Sequence, residues 1–309
     1  MTALDIGSSS TRAVGVGGAV VGRVEYERFP SVADLLAICR RLVPEPAAIS
    51  CVWHSLVALD ARGRPLTPVL TWRDLEPAAA LPLDSDAVHA RTGCPLHPSF
   101  WPMRIAGLRC QGVDAARFVS LPDLLFGGRT SRSIASGTGL LGLDGRWDEE
   151  LLDVLALEAE QLPELADVPV WGDGACANVG SGAVGSGRAA VTIGTSGALR
   201  TIHEPGEPRS GLFLYQVDGE RVCEGGSLSD GGSLLDWLGA LLGKVDTRGL
   251  ADEPPSGLDF LALLGGNGAP AGRRTPAGQS PACRSRRRPG IWSGRRWRAS
   301  RSASPRWPS

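Results

Sequence analysis

The sequence predicts an α/β fold assembled from two similar halves that face each other across a cleft. Three observations carry this prediction. The N-terminal segment reads as strand, strand, strand, helix, strand. A turn rich in glycine and hydroxyl residues joins two strands near the N-terminus and recurs near residue 194. Around both turns the Ala-, Gly- and Leu-rich chain carries regular apolar runs, long enough in sum for one or two cores.

The stretch "TALDIGSSSTRAVGVGGAVVGRVEYERF" opens with a short apolar run ending in Asp5, turns through Gly7, Ser8, Ser9 and Ser10, and returns through Thr11 and Arg12. Alternation in "RAVGVG" and "VVGRVEYERF" predicts consecutive antiparallel strands. "SVADLLAICRRL" is helical in pattern, and "AAISCVW" is again a strand. The first turn has the chemistry of a phosphate site. Small residues let backbone N–H groups converge on an anion, hydroxyls add donors, Arg12 adds charge, and Asp5 suits a hydrated magnesium ion beside the phosphates. The same residues also suit an ordinary turn with a solvated aspartate.

The second copy favours the first of these readings. "AVTIGTSGALRTI", residues 190–202, repeats strand, Ile-Gly, hydroxyl and small residues, Arg and strand. Gly194, Thr195, Ser196 and Gly197 fall on its turn. Thr192 stands where the first copy has Asp5, so the two halves have different jobs. Beyond it, "GGSLSDGGSLLDWLGALLG" predicts a helix with Ser229 or Asp230 near its start.

The pair of hairpins, with "WGDGACANVGSG" just before the second, resembles the FGGY family of carbohydrate kinases, and within it the gluconate kinases. "VWHSLVALD", "TWRD", "TGCPLHPSF", "LPDLLFGGRTSRSIASGTGLLGLDGRWDEELLDVL" and "QLPEL" extend the resemblance to Gly266. It implies an actin-like ATPase (ribonuclease H-like) fold. The first domain would be complete over residues 1–175 and the second truncated, with its start over 176–267. It also implies ATP and Mg²⁺ as cofactors and a small-molecule sugar or sugar acid, gluconate favoured, as phosphoryl acceptor.

By the same resemblance Asp173 falls on the catalytic base, and Trp53 and His54 on the contacts to the sugar. Asp5 (with the metal, directly or through water), Gly7, Ser8, Ser9, Ser10, Thr11 and Arg12 fall on one phosphate hairpin. Gly194, Thr195, Ser196 and Gly197 fall on the other. A carboxylate in a loop of small residues suits removal of a proton from an attacking hydroxyl. Asp173 between two glycines also reads as a turn residue, and His54 as an interior histidine closing a strand. His97 reads as a turn residue, and His89 and His203 carry no functional reading. Relatives present a lysine and then a tryptophan in the helix after "HPSF", where this chain has Arg104 and Gly107. Arg104 is the expected acceptor contact there, and Trp101 is expected to fill part of the missing aromatic volume.

Residues 268–309 depart more sharply. They hold 11 Arg and no acid, against 21 basic and 33 acidic residues upstream, which leaves the body at net −12. The run "RSRRRPGIWSGRRWRASRSASPRWPS" combines guanidinium groups with aromatic faces, which gives a competing function class: a non-catalytic chain whose tail binds nucleic acid non-specifically. The codons argue otherwise. Back-translated with permitted GC-rich codons and shifted by one base, the stretch from Asn267 reads "RSPGWPPDARGAIAGLP", where the family continues with "ERSPGW". The same shift turns Gly290–Ser300 into the amphipathic "DLVRAALEGVA". Trp292 and Trp297, with one codon each, restrict the choice. The expectation is a frameshift near Asn267, an aberrant disordered tail, and no specific nucleic-acid partner.

Seven cysteines show no CxxC spacing, no basic leader or apolar signal core opens the chain, and no apolar run approaches the roughly twenty residues that span a bilayer. These features predict a cytoplasmic protein without membrane contact, its cysteines serving as small buried hydrophobes. The sequence sets no oligomeric state.

Overall fold

The computed structural model describes residues 1–194, 196–228 and 230–243. Thr195, Ser229, Cys283, Asn267 and the expected tail at 268–309 lie outside the described residues. The N-terminal hairpin forms where alternation predicts it. Strand β1 (Ala3–Ile6) pairs antiparallel with β2 (Ser10–Val14), Asp5 opposite Arg12, and β3 (Val20–Glu25) adds to β2. Helix α1 (Val32–Leu42) begins at Ser31, whose hydroxyl accepts from the Asp34 N–H, and buries Val32, Leu35 and Cys39. It carries the chain over to β4 (Ala48–Cys51), which lies parallel to β1.

Short elements follow: β5 (Val57–Leu59), α2 (Ser85–Thr92), α3 (Trp101–Cys110) and β6 (Arg117–Val119), then β7 (Arg129–Thr130), α4 (Arg132–Ser136), α5 (Glu149–Leu155) and β8 (Glu164–Leu165). Leu56, Trp101, Ile105, Phe118, Leu140 and Leu151 make a core of their own among them. Strand β9 (Val170–Gly172) then returns to the main sheet parallel to β4, completing the order β3-β2-β1-β4-β9, and α6 (Asp173–Gly180) starts at its end. Because β1, β4 and β9 are parallel and Ile6, Cys51 and Gly172 share one register, Gly7, Val52 and Asp173 step off the same sheet edge. In open α/β sheets that edge is where ligands bind.

The second sheet is antiparallel, with β10 (Ala190–Ile193), β11 (Gly197–His203), β12 (Phe213–Gln216) and β13 (Val222–Leu228) in the order β10-β11-β13-β12. Helix α7 (Ser233–Leu242) follows, as its apolar pattern predicts. The recurring hairpin is real but not identical. Ile6 pairs with Thr11 across the first turn and Ile193 with Gly197 across the second, which is one residue shorter. Helix α6 ties the sheets together through buried Asn178, whose amide donates to the backbone carbonyls of Ala183 and Arg200. The main core accordingly runs from Leu4, Leu35 and Ile49 into Ile202, Phe213 and Tyr215.

Two expectations need correction. The place of the missing aromatic at Gly107 is not filled by Trp101: a Cβ at Gly107 would come within 2.6 Å of the Pro77–Ala78 backbone, which occupies that space. Cys39, Cys51, Cys94 and Cys223 are buried as expected, whereas Cys110 is exposed and Cys176 is half-buried. Among the described residues no helix is long and apolar enough to cross a membrane.

Candidate active site

A cavity of about 300 Å³ opens at the sheet edge where β4 and β9 end and faces the second sheet. Val52, Trp53 and His54 line it from the β4 end, with Trp72, His97, Ser99 and Phe100 from the loops beyond. Thr192, Ser196, Gly197 and Arg200 line it from the second hairpin, and Phe213 and Tyr215 from β12. Asp173 and Gly174, in the first turn of α6, line it as well. Of the expected site residues, Asp173, Trp53, His54, Ser196 and Gly197 are thus brought together.

Asp173 owes its position to the β9–α6 junction and its chemistry to its surroundings. Desolvation pushes its carboxyl up to about 6, while the Arg200 guanidinium and the Gly174 N–H, 2.8 Å from Oδ1, oppose the shift and Asp5 adds to it. Trp53 is held by its Nε1–H to the Ser133 carbonyl, at 2.9 Å. Its ring lies against Gly137, Gly172 and Gly174, where any Cβ would come within 2.6 Å of the indole. "GDG" therefore serves as the bed of the tryptophan as well as the seat of the carboxylate.

His54 adopts a left-handed backbone conformation, φ 66°. Its ring lies tilted by 36° against Phe100 with centroids 4.6 Å apart, and its Nε2 lies 3.1 Å from the Tyr215 hydroxyl. Desolvation and the nearby Arg104 charge push its pKa down to about 3, so the ring is neutral. Its buried Nδ1 makes no hydrogen bond of good geometry, the Ser99 backbone being the partner within reach. His97 accepts from the Ser99 N–H at Nδ1, the turn contact expected of it, and also faces the cavity.

The first hairpin stands along the same edge. Asp5 accepts from Ser50 Oγ at 3.0 Å and pairs with Arg12 at 3.3 Å, and Arg12 Nε donates to Ser10 Oγ. The Gly7 N–H is used within the turn, bonding the Ser10 carbonyl, and Tyr26 braces the turn by donating to the Gly7 carbonyl at 2.5 Å. Ser8 and Ser9 have no protein acceptor for their backbone N–H groups among the described residues. In the second hairpin the Gly194 carbonyl accepts from the Gly232 N–H, so α7 begins against this turn. Side chains at Gly231 or Gly232 would strike the hairpin backbone within 3 Å.

Trp101 and Arg104 lie elsewhere. Trp101 is fully buried, its Nε1–H on the Ser55 carbonyl at 3.0 Å. Arg104 is equally enclosed, and its guanidinium donates to the carbonyls of Pro98, His54, Thr71 and Asp74. It brackets three cavity-forming segments from behind, a task for a planar fork that a lysine ammonium does not match. The sequence reading passed over Arg200, Tyr215 and Tyr26. Arg200 had a signal, since it recurs after the second turn as Arg12 does after the first; the two tyrosines had none.

No protein-family model matches the chain. It is 28% identical over 302 residues to the gluconokinase of Bacillus subtilis (strain 168), covering 77% of this chain and 59% of that one. It is 30% identical over 259 residues to the glycerol kinase of Thermus brockianus, covering 67% and 52%. The chain therefore spans about half to three fifths of the length of these curated relatives. Among solved structures, a gluconate kinase from Lactobacillus acidophilus superposes with a TM-score of 0.69 at 24% identity, covering 87% of this chain and 70% of that one. A xylulose kinase from Rhodospirillum rubrum reaches 0.70 at 18%, covering 86% and 70%. By its sequence along most of its length, and by its actin-like ATPase fold, the chain is a homologue of the FGGY carbohydrate kinases.

Proposed function

We propose that the chain belongs to an ATP-dependent kinase that phosphorylates a hydroxyl of a sugar or sugar acid, gluconate being the favoured acceptor. The observation that carries this reading is Asp173, a carboxylate at the end of a parallel strand, facing a cavity that a phosphate-type hairpin also lines. With its pKa near 6 the group is mostly ionised at neutral pH and basic enough to take the proton of an acceptor hydroxyl. Trp53 and His54 hold the acceptor, His54 as a neutral imidazole in the cavity wall. The proposed domains are residues 1–175 on the acceptor side and 176–267 on the nucleotide side.

The residues present fit a magnesium nucleotide. Ser8 and Ser9 have N–H groups without a protein acceptor among the described residues, and the Asp5 carboxylate stands beside them on the same hairpin. Asp5 would hold Mg²⁺, and Gly7–Arg12 with Gly194–Gly197 would hold the phosphates. When bound, MgATP supplies the phosphoryl group. Asp173→Asn tests the reading: phosphoryl transfer to gluconate, xylulose and glycerol is expected to lose at least about a hundredfold in kcat while nucleotide affinity holds. Turnover that survives the change removes Asp173 from the mechanism.

A further inference from the structure

Arg200 carries the one permanent positive charge among the described residues that line the cavity. Its place has been cleared on two sides. It sits opposite Gly225 on β13, where a Cβ would come within 2.9 Å of its Cγ, and beside Gly174 on α6, where a Cβ would come within 2.9 Å of its Nε. Its backbone is fixed by Asn178, which donates to the Arg200 carbonyl at 3.0 Å. Yet the head group is nearly unused. Nη2 donates to Thr192 Oγ1 at 3.2 Å, the buried Nε has no partner, and no carboxylate lies within ion-pair distance among the described residues. The stem and Nε are packed in while the Nη end is open to the cavity, which leaves donors of a held guanidinium available to a ligand.

We propose that Arg200 is an oxyanion-binding residue of this cavity, taking a carboxylate or phosphoryl oxygen of the ligand held beside Asp173. The fork of a guanidinium matches such groups, which both a sugar acid and a nucleotide present. The identity of the ligand rests on the kinase reading; the binding role itself does not. Because the same charge acts on Asp173, Arg200 also positions the base electrically, favouring its ionised form against burial.

The 309-residue chain is titrated with gluconate, with glucitol as its counterpart lacking the carboxylate, and with inorganic phosphate. Binding is read from the fluorescence of Trp53 and Trp72, which line the cavity, and by calorimetry. In Arg200→Gln, the affinity for gluconate, for phosphate or for both is expected to fall about tenfold or more, with glucitol unchanged and Arg200→Lys intermediate. A loss confined to gluconate assigns the site to the acceptor's carboxylate. A loss confined to phosphate assigns it to the phosphoryl group and upholds the proposal while the sugar-acid preference falls. The midpoint for Asp173 protonation should also rise above about 6 in Arg200→Gln, which a purely structural arginine would not produce.

A folded Arg200→Gln chain with parental affinity for both oxyanions overturns the proposal, and glucitol binding in that same chain would leave the acceptor reading standing. A parent chain that binds neither oxyanion overturns it as well. Melting temperatures check folding. Should Arg200→Gln unfold, Arg200→Lys decides: parental oxyanion affinity without the fork sinks the idea, and partial loss supports it.

Discussion

Asp173 and His54 share one cavity, and burial drives them toward the same neutral state from opposite sides. The carboxyl rises to about 6 and the imidazole falls to about 3. Phosphoryl transfer is therefore expected to rise with pH through about 6 as Asp173 ionises, with no second step from His54, which stays neutral throughout; a pH profile of kcat/KM checks this. His54 matters to stability instead. Its folded pKa lies below the unfolded value of about 6.5, so the unfolded chain takes up the proton first and stability drains away as pH falls from about 6.5 toward 3. His54→Gly should raise the KM for the acceptor more than that for ATP, because it removes a side chain from one side of the cavity and leaves the left-handed backbone unstrained. Asp173 was legible from "GDG" in its place before the second hairpin. Arg104 was not, since nothing in its neighbours' sequence shows that four backbone carbonyls converge on it.

At the scale of elements, the strands that alternate and the helices with a clear apolar face were readable, while the short pieces between β4 and β9 were not. Arg132–Ser136 is a helix of five residues inside a segment that carries no period long enough to detect. The turn at Pro122–Phe126 holds a testable group. Asp123 is fully enclosed, Oδ2 accepts from the Ser120 N–H, and burial raises its pKa to about 6. Here the folded chain holds the proton more tightly than the unfolded one, so stability is lost as pH rises from about 4 through about 6. Asp123→Asn should thus be more favourable at pH 8 than at pH 4, with a difference on the order of 2 kcal/mol in urea melts at the two values. The β9–α6 junction makes the opposite case. A Cβ at Gly172 would sit 1.8 Å from the Trp53 ring, so Gly172→Ala is expected to cost about 1–3 kcal/mol or more and to weaken acceptor binding, both measurable in one folded sample.

On the scale of the whole molecule, the duplication was visible in the sequence because both hairpins keep the same order of residue types. The exposed side of the second sheet is visible only in the structure. Val191, Ile193, Leu199 and Leu228 stand 65%, 77%, 52% and 42% exposed, and the register places them on neighbouring positions of the edge strand β10 and of β11 and β13 beside it. Such a stripe beside an open edge promotes association. Ile193→Thr with Leu199→Thr is expected to lower the concentration-dependent mass seen by light scattering. A chain continued after Asn267 in the neighbouring frame should associate less and bind nucleotide more tightly, as the codon reading requires.

The shared register of Ile6, Cys51 and Gly172 also works as a ruler. Two strand spacings, roughly 10 Å, separate the start of the first hairpin from the start of α6. That interval is set by ladder hydrogen bonds, so no side-chain substitution can lengthen or shorten it. Directed evolution of this scaffold toward a new acceptor should therefore accumulate changes in the loops around Trp72 and His97 and on β12, and leave the graduations of the sheet edge as they are.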